Sequence, residues 1–436
     1  MDAINWFVYA STYVSFTASL YFLFTWLEQP KKELKELKEW PLVTIAIPVY
    51  NGEKTLSRAV DSLLNLDYPK DKLQIMIVEN NCSTDRTFSI AKQYESKGVE
   101  VYSISPEGSK ARALNFALTK AKGEFFGCLD ADSVAAPDSL KKIISTFDAD
   151  TVAVTPALHT YRPKSFLGKV QQVEYLLGIF LRKVFDFLGV IYVTPGPFSF
   201  YRKSFFEHHG GYDEKNITED LEIAFRAQKA KLKLKNAIDA NVYAENPESF
   251  AALAKQRIRW YLGFLENILR YKTLLNPKKY GRLAFIIWLG FFSICFALTT
   301  IPISMFYLVK SLYNFLVLGK TLLTGAKLNF ILNHFLNSKF SFSSIDIGPG
   351  MILAIPLISI SFCMIFIAAK QSSRKAEGRL GISFILYLFS YTFLFSFWWY
   401  AVVWHKLFSK ELYFGGVKWD NSLLNKIKKR LKCKPT

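Results

Sequence analysis

The segment V43-T-I-A-I-P-V-Y-N-G52, followed by L73-Q-I-M-I-V-E-N80 and F125-F-G-C-L-D-A-D132, decides how this chain folds. Each begins as a short apolar run rich in β-branched or aromatic residues and ends in polar residues, the pattern of a strand buried on both faces that delivers its last residues to a crevice. Between the runs, apolar residues recur at helical spacing: Leu56, Val60, Leu63 and Leu64; Phe88, Ala91 and Tyr94; Ala111, Leu114, Leu118 and Ala121; Leu140, Ile143, Ile144 and Phe147. With a further strand at 99–104, this strand and helix alternation predicts a parallel sheet covered by helices, a doubly wound nucleotide-binding half that extends to about residue 158.

Outside this region the chain is apolar. Of 436 residues 51% are hydrophobic and 21% charged, more apolar material than one soluble core needs. Residues 6–26 form a run too long for a signal-peptide core, with lysines after it rather than before it, and read as an anchor whose C-terminal end is cytosolic. Residues 284–309, 351–369 and 380–404 are each long enough to span a bilayer, which takes about 20 residues. That parity places the basic tail outside, against the positive-inside rule, so residues 312–336, interrupted by Lys320 and Lys327, either cross or re-enter. Residues 169–193, and 175–187 in particular, read either as a helix lying in the membrane interface or as a core helix.

The net charge of +19 suits nucleic acid or anionic lipid, and its distribution separates the two. Lys31, Lys32, Lys35 and Lys38 follow the first apolar run, and lysines fill the tail from Lys406 to Lys434. Clusters that hug hydrophobic spans fit membrane lipids; a nucleic-acid partner is not expected, since it calls for basic residues interleaved with exposed aromatics on the soluble part, whereas the strongest clusters lie beside the spans. The five cysteines show no CxxC spacing, so free thiols are expected rather than a zinc site or a disulfide framework. Transport alone is disfavoured because ionisable residues such as Lys310 and His405 lie at span ends.

In an open parallel sheet the ligand lies beyond the carboxyl ends of the strands. There stand Tyr50 and Asn51, Glu79 and Asn80, and Asp130 and Asp132, with Lys110 and Arg112 opening the third helix beside the same crevice. Two carboxylates one residue apart at a strand end can share a hard cation that bridges to substrate phosphates. Thr218-Glu219-Asp220 opens a later amphipathic helix, where acidic residues also serve as ordinary dipole-compensating caps. Gln256, Arg259 and Trp260 share one helix face and offer an amide, a cation and an aromatic plate. Trp398, Trp399, Tyr400 and Trp404 read as an interfacial belt or as a sugar-stacking channel.

The order of these motifs resembles the inverting glycosyltransferases of family 2, in particular the membrane-embedded branch with the hyaluronan, chitin, cellulose and poly-N-acetylglucosamine synthases and ceramide glucosyltransferase. The matching stretches are 48–51, 110–115, Asp130-Ala131-Asp132, Thr194-Pro195-Gly196-Pro197 through Tyr201-Arg202, Thr218-Glu219-Asp220 and Gln256-Arg257-Ile258-Arg259-Trp260. The resemblance implies an α/β GT-A fold, a nucleotide-diphospho-sugar transferase domain flanked by transmembrane helices. It divides the chain into an anchor (1–28), a basic linker (29–41), a cytosolic transferase domain (42–275), a C-terminal transmembrane region (280–406) and a basic tail (407–436).

It further implies that Asp132, helped by Asp130, binds Mg²⁺ or Mn²⁺ and that Asp220 is the general base. Gln256, Arg259 and Trp260 would hold the diphosphate and the acceptor end, with Tyr50, Asn51, Lys110, Gly196 and Glu219 completing the substrate site. The implied donor is a nucleotide-sugar, with UDP favoured, and the acceptor a membrane-associated polysaccharide or glycolipid; a non-processive transfer to a polyprenyl-phosphate or sphingolipid-like acceptor is the alternative. Where relatives place an aspartate for the nucleobase this chain has Asn80 preceded by Glu79, so either Glu79 supplies the carboxylate through a one-residue shift of the loop or base recognition at Asn80 is relaxed. The segment Tyr413-Phe414-Gly415-Gly416-Val417-Lys418-Trp419 loosely resembles the gating segment of polymer-synthesising relatives.

Overall fold

The computed structural model describes residues 3–28, 39–80, 83–104, 109–323, 349–372, 380–408, 412–414 and 417–419. Its centre is an eight-stranded mixed sheet: β1 (Val43–Val49), β2 (Leu73–Asn80), β3 (Glu100–Ile104), β4 (Phe125–Cys128), β5 (Ser133–Ala135), β6 (Thr151–Thr160), β7 (Phe200–Arg202) and β8 (Lys233–Ala244), in the order β3-β2-β1-β4-β7-β6-β8-β5. The first four strands run parallel, Val43 facing Leu73 on one side and Phe125 on the other. Val43, Ile45, Ala46 and Ile47 are all wholly buried because helices cover both faces. These helices are α2 (Leu56–Leu64), α3 (Thr87–Gln93), α4 (Lys110–Lys120) and α5 (Ser139–Thr146).

The parallel expectation describes this half alone. β7 enters antiparallel between β4 and β6, and β5 pairs antiparallel with β8, which makes the sheet mixed. The sequence pattern stops predicting here because β5 and β7 are three-residue strands, too short for an alternation to register. β6 and β8 pair in parallel with a register break at Pro156, where a residue with no N–H interrupts the ladder and leaves its carbonyl free for side chains.

The remaining helices are α6 (Phe166–Leu188), α7 (Lys203–His209), α8 (Glu219–Lys229) and α9 (Phe250–Arg270). Among the described residues four helices are long and apolar enough to cross a membrane: α1 (Ala3–Glu28), α10 (Pro277–Leu323), α11 (Pro349–Gln371) and α12 (Leu380–Phe408). Residues 312–323 of the stretch expected to cross or re-enter continue α10, and 324–336 lie outside the described residues. The core reading fits α6: Val173, Leu176, Ile179, Phe180 and Val184 are buried in one cluster with Phe22 of α1, Met364 and Ile365 of α11 and Phe384 of α12. It also packs on β6 and β8, so α6 lies between the sheet and the candidate spans. The segment after α12 forms a short hairpin, β9 (Leu412–Phe414) with β10 (Val417–Trp419).

Candidate active site

The strand ends converge as the parallel topology requires. Tyr50 and Asn51 follow β1 at the cavity rim, Tyr50 exposed, and Asn51 adopts φ 48°, a left-handed turn that asparagine tolerates. From there its side chain accepts the Thr84 N–H at 2.8 Å while its own N–H donates to Ser83 Oγ at 3.1 Å, tying the loop after β1 to the loop after β2.

Asp130 and Asp132 follow β4. Lys110, in the first turn of α4, pairs with Asp130 and lies 3.5 Å from Glu219 at the start of α8. Burial alone would lower the Lys110 ammonium; the carboxylates of Asp130 and Glu219 outweigh it and hold the group well above its usual range. Asp132 differs. Its side chain accepts a 3.1 Å hydrogen bond from Ser133, and burial together with the neighbouring Asp130 charge raises its carboxyl to about 6. Among the described residues no cluster of three or more His, Cys, Asp or Glu forms a ready-made cage. Two oxygen-donor carboxylates whose mutual repulsion a cation would relieve do fit a hard divalent ion that takes its other ligands from phosphates and water.

Gly196 brings the two acidic loops together. A Cβ built on it would meet Lys110 Nζ at 2.7 Å, Asp130 Oδ2 at 3.7 Å and Asp220 Oδ2 at 3.7 Å, so any larger residue would displace the Lys110 ammonium from between the acidic loops. Its N–H donates to Asp220 Oδ2 at 3.2 Å, and its carbonyl accepts from the Cys128 thiol. Asp220 is further fixed by the Leu221 N–H at 2.8 Å and by Thr194 Oγ1, which donates to its backbone carbonyl at 2.7 Å. Burial and then the adjacent Glu219 raise the Asp220 carboxyl to about 6, with Lys110 and Arg259 pulling the other way.

Helix α9 closes the cavity on the opposite side. Gln256, Arg259 and Trp260 line it as their spacing predicts, and Arg259 Nη1 donates to the Ile217 carbonyl at 3.2 Å, just ahead of the acidic triplet. Arg257, between them in sequence, lies behind the cavity lining. It is wholly buried, paired with Glu174 of α6 through Nε at 3.2 Å and Nη2 at 2.5 Å, and stacked on the Trp260 ring at 4.3 Å. Tyr391 of α12 adds its hydroxyl to Glu174 at 3.0 Å.

The sequence offered Gln256, Arg259 and Trp260 and missed Arg257 and Glu174. The signal was a lone acid inside the apolar run of α6, which needs a buried partner. Gly263 was missed as well: a Cβ there would lie 2.2 Å from Thr218 Oγ1, so this mid-helix glycine lets α9 touch the start of α8.

One expected residue lies elsewhere. Glu79 is buried and accepts the Ser103 hydroxyl at 3.0 Å across to β3, outside the cavity lining. Asn80 ends β2, and its side chain, like residues 81–82 and 105–108, lies outside the described residues. Cys128, Cys295 and Cys363 are free thiols, and burial pushes the Cys128 thiol far up and out of nucleophilic range.

All these elements border one cavity of about 960 Å³. It begins at Tyr50, Asn51, Lys110, Asp130 and Asp132, passes Gly196 and Asp220, and ends against Gly290, Ser293 and Ile294 of α10 and Phe395 and Trp399 of α12.

Comparison with known proteins agrees with this geometry. Residues 44–210 match the model of the family described as Glycosyl transferase family 2. The chain is 30% identical over 261 residues to a beta-monoglucosyldiacylglycerol synthase of Nostoc sp., covering 58% of this chain and 55% of that one, so it spans about half the length of that relative. It is 27% identical to a poly-beta-1,6-N-acetyl-D-glucosamine synthase of Staphylococcus epidermidis over 70% of this chain and 72% of that one. The fold is shared with a mannosyltransferase of Pyrobaculum calidifontis, solved in complex with GDP-Man and Mn²⁺, at TM-score 0.53 and 17% identity over 92% of this chain and 97% of that one. Residues 44–210 thus match the family 2 glycosyl transferase model within an α/β fold shared with that mannosyltransferase, beside four helices that, among the described residues, are long and apolar enough to span a membrane.

Proposed function

We propose, from the match of residues 44–210 to the family 2 model, that this chain transfers a sugar from a nucleotide-sugar to a membrane-borne acceptor, a growing polysaccharide or a glycolipid, in one inverting displacement. The observation that carries the reading is the continuity of the cavity: a single space joins the acidic and cationic strand ends to side chains of α10 and α12. A soluble acceptor has no use for such a route. The chain would then be a multi-pass protein of the cell membrane with its catalytic domain in the cytosol, the anchor at 1–28, the linker at 29–41, the transferase domain at 42–275, the transmembrane region at 280–406 and the basic tail at 407–436.

Asp130 and Asp132 would hold Mg²⁺ or Mn²⁺, which when bound supplies positive charge to the departing diphosphate. The chain's own residues do the rest. Lys110 and Arg259 present fixed cations toward the same leaving group. Gln256 and Trp260 border the acceptor side, the indole offering a flat face to a sugar ring. Asp220 removes the proton from the acceptor hydroxyl as it attacks the anomeric carbon. Its carboxyl, raised to about 6, suits this task because a base titrating near the working pH is both ionised and proton-hungry. The hydrogen bonds from Gly196 and Leu221 fix its orientation.

The test is a screen of purified, lipid-reconstituted protein with radiolabelled nucleotide-sugars and Mg²⁺ or Mn²⁺, products being sorted into high-mass, lipid-extractable and free-sugar fractions. High-mass label identifies a polymer synthase and lipid-extractable label a glycolipid transferase. No turnover with any donor, native lipids being present, overturns the reading.

A further inference from the structure

The α6 face that borders the cavity carries Glu174, Gly178 and Arg182, each one turn after the last, with Tyr175 beside them. Glu174 is committed to Arg257. Arg182 has no such commitment. Among the described residues its hydrogen bond is a 3.3 Å donation from Nη1 to the Pro156 carbonyl, freed by the break in β6, and no carboxylate pairs with it. A guanidinium carries five N–H donors in a planar fork, so most of this one's capacity faces the cavity unused. Burial pulls its proton affinity down to about 10, with only Tyr175 and Tyr192 acting against that, so the group is cationic at neutral pH and lacks a counter-charge.

The catalytic carboxylates do not supply that charge. Asp130 pairs with Lys110, and among the described residues no ion pair joins Asp132 or Asp220 to Arg182. One turn before it, Gly178 leaves a notch in the wall: a Cβ built there meets nothing within 4 Å. From the notch the same cavity continues to apolar side chains of α10 and α12, among them Ile294 and Phe395. A ligand matching all three features has an oxyanion at one end and hydrocarbon at the other.

We propose that Arg182 is an oxyanion subsite of the cavity, holding the phosphate of a lipid whose anionic end sits in the notch at Gly178 and whose apolar part lies toward α10 and α12. This deepens the transferase reading and rests on it for the cavity's purpose: the membrane-borne molecule admitted is a lipid phosphate rather than a neutral diacylglycerol. A bidentate guanidinium and phosphate pair is the interaction for which arginine is better suited than lysine.

The experiment is native mass spectrometry of the full chain in maltoside detergent, with phosphatidic acid, dioleoylglycerol or inorganic phosphate added and no sugar donor present. Wild-type protein should retain phosphatidic acid and not dioleoylglycerol. Arg182→Gln should lower that occupancy at least tenfold, Arg182→Lys should recover part of it, and Gly178→Leu should lower it with the arginine intact. Nucleotide protection against thermal unfolding, unchanged in each variant, shows that loss of lipid is not loss of fold.

Equal retention of phosphatidic acid by wild type and Arg182→Gln overturns the subsite. Displacement of the lipid by equimolar inorganic phosphate overturns the lipid source and assigns the arginine to a soluble anion. Because lipid retention is read without a donor, a chain that binds lipid and transfers no sugar sinks the transferase reading alone, and one that transfers sugar while ignoring phosphatidic acid sinks this subsite alone.

Discussion

The strand ends around Asp130 and the seam where α6, α9 and α12 meet border the same cavity and are built by opposite means. At the strand ends, position follows from backbone rules acting over a few residues: parallel strands deliver Tyr50 and Asp130 to one edge, and a glycine at 196 lets the acidic loops touch. In the seam, position follows from side chains far apart in sequence. Arg257 of α9 reaches Glu174 of α6, Tyr391 of α12 reaches the same carboxylate, and Tyr261 stacks on Trp399 with centroids 5.0 Å apart. The first region is arranged to do chemistry and the second to hold the chemistry against the spans. Substitutions should therefore separate activity from assembly.

The largest effect is expected at Asp220. Replacing it with Asn should lower turnover by about a thousandfold or more, the loss of a positioned base, while nucleotide affinity stays within about twofold. Measured turnover within tenfold of wild type would remove the base assignment. The pH profile sharpens the same point. A base works deprotonated, so with the Asp220 carboxyl raised to about 6 the rate should fall as pH drops through 6 and level off above it. The sign for stability is the reverse. A carboxyl whose folded value lies above its unfolded one disfavours folding once pH exceeds the unfolded value, so Asp220→Asn should gain stability at pH 7 by on the order of 1 kcal/mol. A seam residue would show neither signature.

Next comes the seam's buried pair. Arg257→Met leaves the Glu174 carboxylate without its cation and should destabilise by about 3 to 5 kcal/mol, whereas Arg257→Met with Glu174→Leu should recover most of that, because a buried pair replaced entirely by apolar groups loses its desolvation cost as well. The comparison is read from unfolding midpoints in detergent. A double variant no more stable than the single one would mean that Tyr391 and Trp260 depend on the charges themselves.

The metal end of the strand region should respond more modestly. Asp132→Ala, which removes a direct oxygen ligand, is expected to weaken nucleotide binding in Mg²⁺ and to abolish the difference between Mg²⁺ and chelator. Full wild-type affinity in chelator would sink the metal assignment for Asp130 and Asp132.

The same contrast explains what the sequence could and could not say. Strand ends are local: apolar runs closing on Tyr50, Asn51 and Asp130 were legible because the period of a strand and its polar terminus lie within ten residues of chain. The face of α9 bearing Gln256, Arg259 and Trp260 was legible for the same reason. For Glu79, alternation on β2 does not reveal which face looks at the cavity, and its carboxylate meets the Ser103 hydroxyl. The mixed half of the sheet was lost in three-residue strands, and Arg182 and Glu174 were lost because their significance depends on which carboxylate, if any, the tertiary fold places beside them.

The smallest effect tests whether the seam is uniform along its length. Lys406, near the end of α12, donates to Glu266 of α9 at 3.0 Å, a pair with side-chain exposures of 13% and 25% that is only partly dry. A pair still touched by water gains less from its Coulomb term and loses less when broken, so Lys406→Gln should cost about 0.5 to 1 kcal/mol and leave turnover unchanged. Measured as a double-mutant cycle with Glu266→Gln, the coupling should also shrink as salt rises, while the Arg257 and Glu174 coupling should not. Equal salt sensitivity of the two couplings would mean that the Arg257 end of the seam is as wet as the Lys406 end, and the division between a dry clamp beside the site and a looser contact near the helix end would fail.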